Sequence, residues 1–203
     1  MSENLGKLKT AWAFAKNIFT TGAIFETSSA AETEVCRKIP KAYDGVVVEF
    51  GMGHGNITKK ILDRLGPKGS VYAFEIHEDF CEHVEKSLND PRLIIVNDDA
   101  SSLHRHVKSK VGFVLGSIPY SFFSKEKSQQ ILKDSYALLE PGGFYSQVLY
   151  TRHNFKKFKA VFDRCERLKV KGSLREYVYH CQKGKPSAQA VNHMLQSFQT
   201  GRN

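Results

Sequence analysis

The chain has 203 residues, 41% hydrophobic and 25% charged, the balance of a soluble globular domain with enough apolar material for one full α/β core. No apolar run is long enough to cross a bilayer, and the early Glu3 with no apolar stretch behind it excludes a secretory leader, so a cytoplasmic location is expected. The net charge of +9 is concentrated: Arg152 to Lys185 holds eleven Lys or Arg against three acids, a surface for anionic partners that allows lipid headgroups and nucleic acid equally.

In chain order, Leu5, Leu8, Trp12, Ala15 and Phe19 recur at helical spacing with Lys7, Lys9 and Lys16 beside them. This predicts an amphipathic helix that either packs on the domain or lies in an anionic membrane interface. Residues 19–29 follow, and Ser28 or Ser29 is placed to cap a helix running to about Ile39. Val46 to Phe50 is a short β-branched run with no alternation, which predicts a strand buried on both faces, with Glu49 a charge near its end. Gly51, Met52, Gly53, His54, Gly55 and Asn56 come next, then Ile57, Ile61, Leu62 and Leu65, read as a helix capped by Asn56. Strand, glycine turn and helix in that order expose bare backbone and helix N–H groups to a ligand.

The second strand, Ser70 to Ile76, ends in Glu75, and the third, Leu93 to Val96, runs into Asn97-Asp98-Asp99-Ala100. Three successive strands each ending in an acid predict one crevice at the C-terminal edge of a parallel sheet, with Glu75 placed to accept from ribose hydroxyls. A helix is expected near Glu78 to Leu88 and a short one around Ser102 to Val107. A fourth strand, Val111 to Leu115, then enters Gly116-Ser117-Ile118-Pro119-Tyr120-Ser121-Phe122-Phe123. The helix from Lys125 to Leu139 breaks at Glu140-Pro141-Gly142-Gly143 before strand five, Phe144 to Tyr150. A basic helix, Asn154 to Cys165, and strand candidates Leu168 to Val170 and Leu174 to Cys181 complete the sheet. Beyond Lys183 the polar tail offers only Val191, Met194, Leu195 and Phe198 for a docking helix.

The scattered Cys36, Cys81, Cys165 and Cys181 form no Cys-x-x-Cys pair and are expected to be reduced thiols. His104 and His106, two residues apart, point away from each other on a helix, so no metal is expected. One domain spans 1–203: a helical cap or membrane-contact segment over 1–40, a core over 41–182 and the tail over 183–203.

The Gly-x-Gly-x-Gly loop with Glu49 before it and acids after strands two and three resembles the class I S-adenosylmethionine-dependent methyltransferases over about Val46 to Tyr150. The resemblance implies a Rossmann-like, doubly wound, seven-stranded mostly parallel sheet with an antiparallel last strand and helices on both faces. By it, Glu49, Phe50, Gly51, Met52, Gly53, Gly55 and Asn56 hold the amino-acid end of the cofactor and Glu75 the ribose. Ile76 packs on adenine, Asp98, Asp99 and Ala100 lie at the adenine edge, and Gly116 and Ser117 adjoin the methyl group. "Leu-Leu-Glu-Pro-Gly-Gly-Phe" is similar to the turn before strand five in many of these proteins. The Gly22-Ala23-Ile24 segment and the Ser28-Ser29 step resemble bacterial phospholipid N-methyltransferases, in which this segment closes over the cofactor, here with Thr21 and Ser29.

The likeness extends to Gly-Ser-Ile-Pro, whereas the related rRNA adenine dimethyltransferases carry Asn or Asp where Ser117 stands. Arg175-Glu176-Tyr177-Val178-Tyr179 departs from the Asn-Pro-Pro-Ala-like segment of the lipid family. Ser117, Ile118, Pro119, Tyr120, Phe122 and Arg152 are the expected substrate wall, and Tyr120, Tyr150 and His153 are candidates to remove or relay the proton of an attacking amine. Three readings follow: a phosphatidylethanolamine-type lipid N-methyltransferase acting at an anionic membrane surface, an RNA methyltransferase, and a non-catalytic cofactor-binding protein. A monomer is expected in each.

Overall fold

The computed structural model describes residues 27–152, 154–172 and 175–185. The amphipathic N-terminal helix and the docking helix of the tail lie outside the described residues, as do Thr21 and His153.

Seven strands form one sheet: β1 (Val46–Phe50), β2 (Ser70–Phe74), β3 (Leu93–Val96), β4 (Val111–Gly116), β5 (Leu139–Leu149), β6 (Arg164–Lys169) and β7 (Tyr177–Gln182). Their order is β3-β2-β1-β4-β5-β7-β6. The first five are parallel, and β7 runs antiparallel to both β5 and β6. The helices are α1 (Ser29–Val35), α2 (Asn56–Leu62), α3 (Glu78–Ser87), α4 (Leu103–His106), α5 (Lys125–Leu138) and α6 (Phe155–Lys159).

Because side chains alternate along a strand, the unbroken apolar run of β1 feeds two cores at once. Val48 and Phe50 join Val114, Ile131, Leu132, Tyr145, Phe158 and Tyr179 on the α5–α6 side. Val47 joins Ala31, Val35, Ile57, Ile61, Val148 and Val178 on the α1–α2 side. Glu49 shares the face of Val47 and therefore looks toward α2.

Four boundaries differ from the sequence expectation, each for a local reason. The first helix ends at Val35 rather than near Ile39 and gives way to turns over residues 36–38 before Pro40. Gly55, at φ +83°, takes the cap of α2 in place of Asn56, which is already helical and caps nothing. The Glu140-Pro141-Gly142-Gly143 break lies inside β5: Val111 pairs with Leu139 and Phe113 with Phe144, so the extra residues bulge out while the strand continues. Finally, α6 stops at Lys159, and β6 begins at Arg164 as a charged edge strand of the kind that resists further strand pairing.

Polar contacts fix α1 to the antiparallel end of the sheet. Ser28 caps α1 by accepting from the Ala31 amide, and its hydroxyl donates to Glu176 Oε2 at 2.5 Å while its amide donates to Oε1 at 2.8 Å. Buried His180 bridges Ser146 on β5 (2.7 Å) and Glu34 on α1 (3.1 Å). Burial holds the His180 imidazole below its ordinary pKa, opposed by the Glu34 hydrogen bond.

Candidate active site

The parallel strands end level with one another. Phe50 pairs with Phe74 and with Gly116, and Phe74 pairs with Val96, so the loops after β1, β2, β3 and β4 leave from one edge. The loops are tied together across that edge. Gly51 and Met52 amides donate to the Phe74 carbonyl at 2.9 and 3.1 Å, Glu75 N–H to the Val96 carbonyl at 3.0 Å, and Ser117 N–H to the Phe50 carbonyl at 3.0 Å. The three acids anticipated at strand ends therefore lie along one edge of the sheet.

Gly51, Gly53 and Gly55 all have positive φ, at +78°, +53° and +83°. A β-carbon on Gly51 would stand 3.0 Å from Ile118 Cγ2, and one on Gly55 would press on Val84 and Leu88 of the α3 segment. Gly53 differs: nothing lies within 4 Å of that direction. Its amide donates to Glu75 Oε2 at 3.0 Å, and the His77 amide donates to Oε1 at the same distance. A carboxylate offers about four acceptor positions, so two such bonds orient Glu75 and leave acceptor capacity for a diol.

Glu49 is 1% exposed. Its Oε2 accepts from Thr58 on α2 at 2.6 Å, while Oε1 meets no donor among the described residues. Burial pushes this carboxyl up to about 8; the Thr58 hydrogen bond opposes the rise and the negative charge of Glu75 adds to it. An orphaned, deeply buried carboxylate oxygen is the environment an ammonium group completes. Ile76, by contrast, is 52% exposed just beyond the end of β2, an apolar side chain available to a flat ring.

After β3, the Asp98 carboxylate pairs with His106 at 2.8 Å and accepts from the Asp99 amide. The His106 hydrogen bond, with that of the Asp99 amide, holds its pKa down to about 2. Asp99 is turned to other work: Oδ1 caps the turn at Ser101 and Oδ2 meets Lys127 at 2.6 Å. Ala100 is buried at the start of that turn.

The turn after β4 differs most from expectation. Ser117 donates its hydroxyl to the Gly51 carbonyl at 2.9 Å, joining the glycine loop to the turn after β4. The Ile118 carbonyl accepts from Tyr120 N–H at 3.1 Å and from Gln147 Nε2 at 3.0 Å. Tyr120, expected in the cleft, is instead 0% exposed, its hydroxyl 2.8 Å from that of Tyr145 and its ring against Phe158 and Phe123. Burial drives its pKa well above the ordinary phenol range. The reason is chain direction: after Pro119 the backbone enters a tight turn, Tyr120–Phe122, that sends residue 120 back under the sheet.

Tyr150, half-buried at the end of β5, has its hydroxyl 3.4 Å from Thr27 Oγ1, and burial raises its pKa. Ser29 is exposed on the first turn of α1, next to the capping Ser28, and Arg152 is exposed beyond β5. The Phe122 side chain lies outside what is described. Sequence reasoning missed Thr58, Gln147 and Lys127. Gln147, a polar residue midway along a buried strand, was the one carrying a visible signal.

Among the described residues no helix is long and apolar enough to cross a membrane, and no group of three or more His, Cys, Asp or Glu is placed to hold a metal. Residues 47–143 match the family described as "Methyltransferase domain". An ornithine lipid N-methyltransferase of Singulisphaera acidiphila is 29% identical over 127 residues, covering 60% of this chain and 66% of that protein. Ribosomal RNA small subunit methyltransferase H of Christiangramia forsetii is 35% identical over 82 residues, covering 38% of this chain and 26% of that one. The chain thus spans under two thirds of either relative. Among solved structures, a SAM-dependent O-methyltransferase of Thermotoga maritima aligns with a TM-score of 0.63 at 18% identity, covering 80% of this chain and 67% of that one. Fibrillarin of Aeropyrum pernix with bound S-adenosyl-L-methionine aligns with a TM-score of 0.60 at 14% identity, covering 75% and 73%. Over residues 47–143 the chain thus carries a methyltransferase domain, S-adenosylmethionine-dependent, on the seven-stranded fold that its strand order shows.

Proposed function

We propose that this domain methylates the amino headgroup of a membrane phospholipid, phosphatidylethanolamine-like in its chemistry, at an anionic membrane surface. The carrying observation is the state of the two acceptors in the turn after β4. The flat exocyclic amine of an adenine is weakly basic and has to be gripped and oriented by acceptors. Here Ser117 turns its hydroxyl back onto Gly51, and the Ile118 carbonyl is already taken by Tyr120 N–H and Gln147. A tetrahedral headgroup amine needs alignment and loss of a proton, not that grip.

Bound at this edge, the cofactor supplies an activated methyl group on a sulfonium. The residues fit it: Glu49 Oε1 would receive its ammonium, Glu75 its ribose hydroxyls and Ile76 its adenine face, with Gly53 leaving the space. Tyr150, kept protonated by burial and adjoining Thr27, would relay the amine's proton, and His153 is the second candidate for that step. Arg152, Lys156, Lys159, Arg167 and Lys169 are exposed around α6 and the neighbouring face of β6, a surface suited to anionic headgroups.

The test is incubation with methyl-labelled cofactor, total RNA and vesicles of phosphatidylethanolamine mixed with an anionic lipid. Label in the chloroform-soluble fraction, with flotation of the protein on the vesicles, is the expected result. Label confined to RNA, or none in lipid, overturns the proposal.

A further inference from the structure

Two of the four cysteines face each other across the antiparallel hairpin at the end of the sheet. Cys165 on β6 is the direct register partner of Cys181 on β7. The Val170 amide donates to the Glu176 carbonyl, which makes 170/176 a hydrogen-bonded pair. Pair types alternate along an antiparallel ladder, and 165/181 lies five steps away, so it is a non-hydrogen-bonded pair. Such pairs bring their α-carbons to roughly 4.5 Å, inside the range a disulfide spans. Both side chains project to the same face, toward α6. Cys181 is fully buried there and Cys165 is partly exposed at the sheet edge.

We propose that Cys165 and Cys181 form a reversible disulfide, with Cys165 the thiol that meets a low-molecular-weight disulfide oxidant such as oxidised glutathione. The Cys165 thiolate attacks one sulfur of the oxidant, and the first glutathione thiolate departs. Cys181 then attacks the Cys165 sulfur of the mixed disulfide; its proton passes to the second departing thiolate. Two protein thiols are oxidised, one oxidant disulfide is reduced, and two glutathione molecules leave.

The surroundings favour that order. A hydrogen bond with Cys181, aided by the Lys159 ammonium on α6, holds the Cys165 thiol below its ordinary pKa against the effect of its burial. Burial pushes Cys181 the other way, so it is the poor first nucleophile and the second to react. Cys36 and Cys81 are buried elsewhere, Cys36 in the α1–α2 core and Cys81 on the inner face of α3, and neither faces another cysteine across a strand pair.

The bond would close the hairpin that anchors α1, because Glu166 and His180, the adjacent register pair, meet Lys38 and Glu34 on the opposite face. Oxidation is therefore expected to raise the melting temperature.

The experiment is titration of the full chain with oxidised and reduced glutathione at fixed ratios, followed by alkylation, intact mass and peptide mapping. Expected are loss of two of the four titratable thiols, a mass lower by two hydrogens, one cross-linked peptide joining 165 to 181, and full reversal by dithiothreitol. Cys165→Ser, at the partly exposed position, should fold and keep its other three thiols through the same titration. Four free thiols under oxidising ratios, a persistent glutathione adduct at Cys165, or a bridge involving Cys36 or Cys81 each overturns the assignment. Because the readout is thiol chemistry, it stands whether or not the lipid reading does.

Discussion

Thr58 Oγ1 lies 2.6 Å from Glu49 Oε2, and among the described residues this is the one hydrogen bond the buried carboxyl receives. Thr58 thus offsets part of the cost of a charge at Glu49, the residue proposed to receive the cofactor's ammonium. Burial pushes the Glu49 carboxyl up to about 8, so at neutral pH it would release a proton on accepting an ammonium. Cofactor affinity should therefore increase as pH rises from 6 to 8, by up to about tenfold per unit from this group. Calorimetry in buffers of different ionisation enthalpy should show proton release. Glu49→Gln should remove most of the pH slope, and Thr58→Val should weaken binding by roughly tenfold or more, the worth of a hydrogen bond to a charged group. An unchanged slope in Glu49→Gln would end the assignment.

The same carboxyl gives a stability prediction of opposite sign to the usual acid. Its folded pKa is raised, from an ordinary 4.5 to about 8, so between those values the folded chain keeps a proton that the unfolded chain has lost. Its contribution to stability is complete below 4.5, declines as pH rises, and levels off above 8. Melting temperatures of Glu49→Gln relative to the parent should accordingly climb between pH 5 and 8, by about 5 °C or more. A difference that stays flat across that window contradicts the burial argument.

Tyr120 separates a structural hydroxyl from a chemical one. Tyr120→Phe removes a buried 2.8 Å bond to Tyr145; it should cost about 1 kcal/mol, or roughly 2–4 °C in melting temperature. Turnover should stay within about threefold of the parent, since the ring still packs on Phe158. A hundredfold loss of turnover with an unchanged melting temperature would return the hydroxyl to the reaction.

The case of Tyr120 shows where sequence reading reached its limit. Strand order, glycine turn and acidic strand ends were legible because each rests on a local pattern: an apolar run in β1, three alternating glycines, an acid one residue beyond β2. Side-chain direction after the Ser117-Ile118-Pro119 turn depends on how the backbone folds beneath the sheet, and no spacing encodes it. Thr58 and Lys127 escaped notice for a related reason. Their partners, Glu49 and Asp99, are 9 and 28 residues away and meet them only once the helices dock. Even the Glu140–Gly143 break, correctly seen as a disruption, was absorbed into β5 because register is a property of two strands.

Gly53 and Gly55 should fail in different ways. Gly53→Ala places a β-carbon where the structure offers open space at φ +53°, so the fold should lose only about 1 kcal/mol. Cofactor affinity should drop at least tenfold, because the methyl group enters the space assigned to the ligand. Gly55→Ala meets Val84 Cγ2 at 3.1 Å and Leu88 Cδ1 at 3.2 Å at φ +83°, so it should melt several degrees lower than Gly53→Ala. Thermal melts and calorimetry on the two variants separate the effects; equal binding losses at equal stability would count against the pocket.

Gln147 is the remaining determinant of the substrate wall. Its Nε2 holds the Ile118 carbonyl at 3.0 Å, its Oε1 accepts from Tyr145 at 3.1 Å, and the space for its amide exists because Gly116 carries no side chain. Gln147→Leu leaves a buried carbonyl with one donor fewer and a buried phenol without its acceptor, a cost of about 1–3 kcal/mol. The glycine loop, tied through Ser117 and Phe74, is untouched, so cofactor affinity should remain within about twofold. Turnover on the lipid amine should fall by tenfold or more as the turn loses its fixed position. If cofactor binding falls in step with turnover, the turn and the glycine loop act as one unit and Gln147 has no separate role in placing the acceptor.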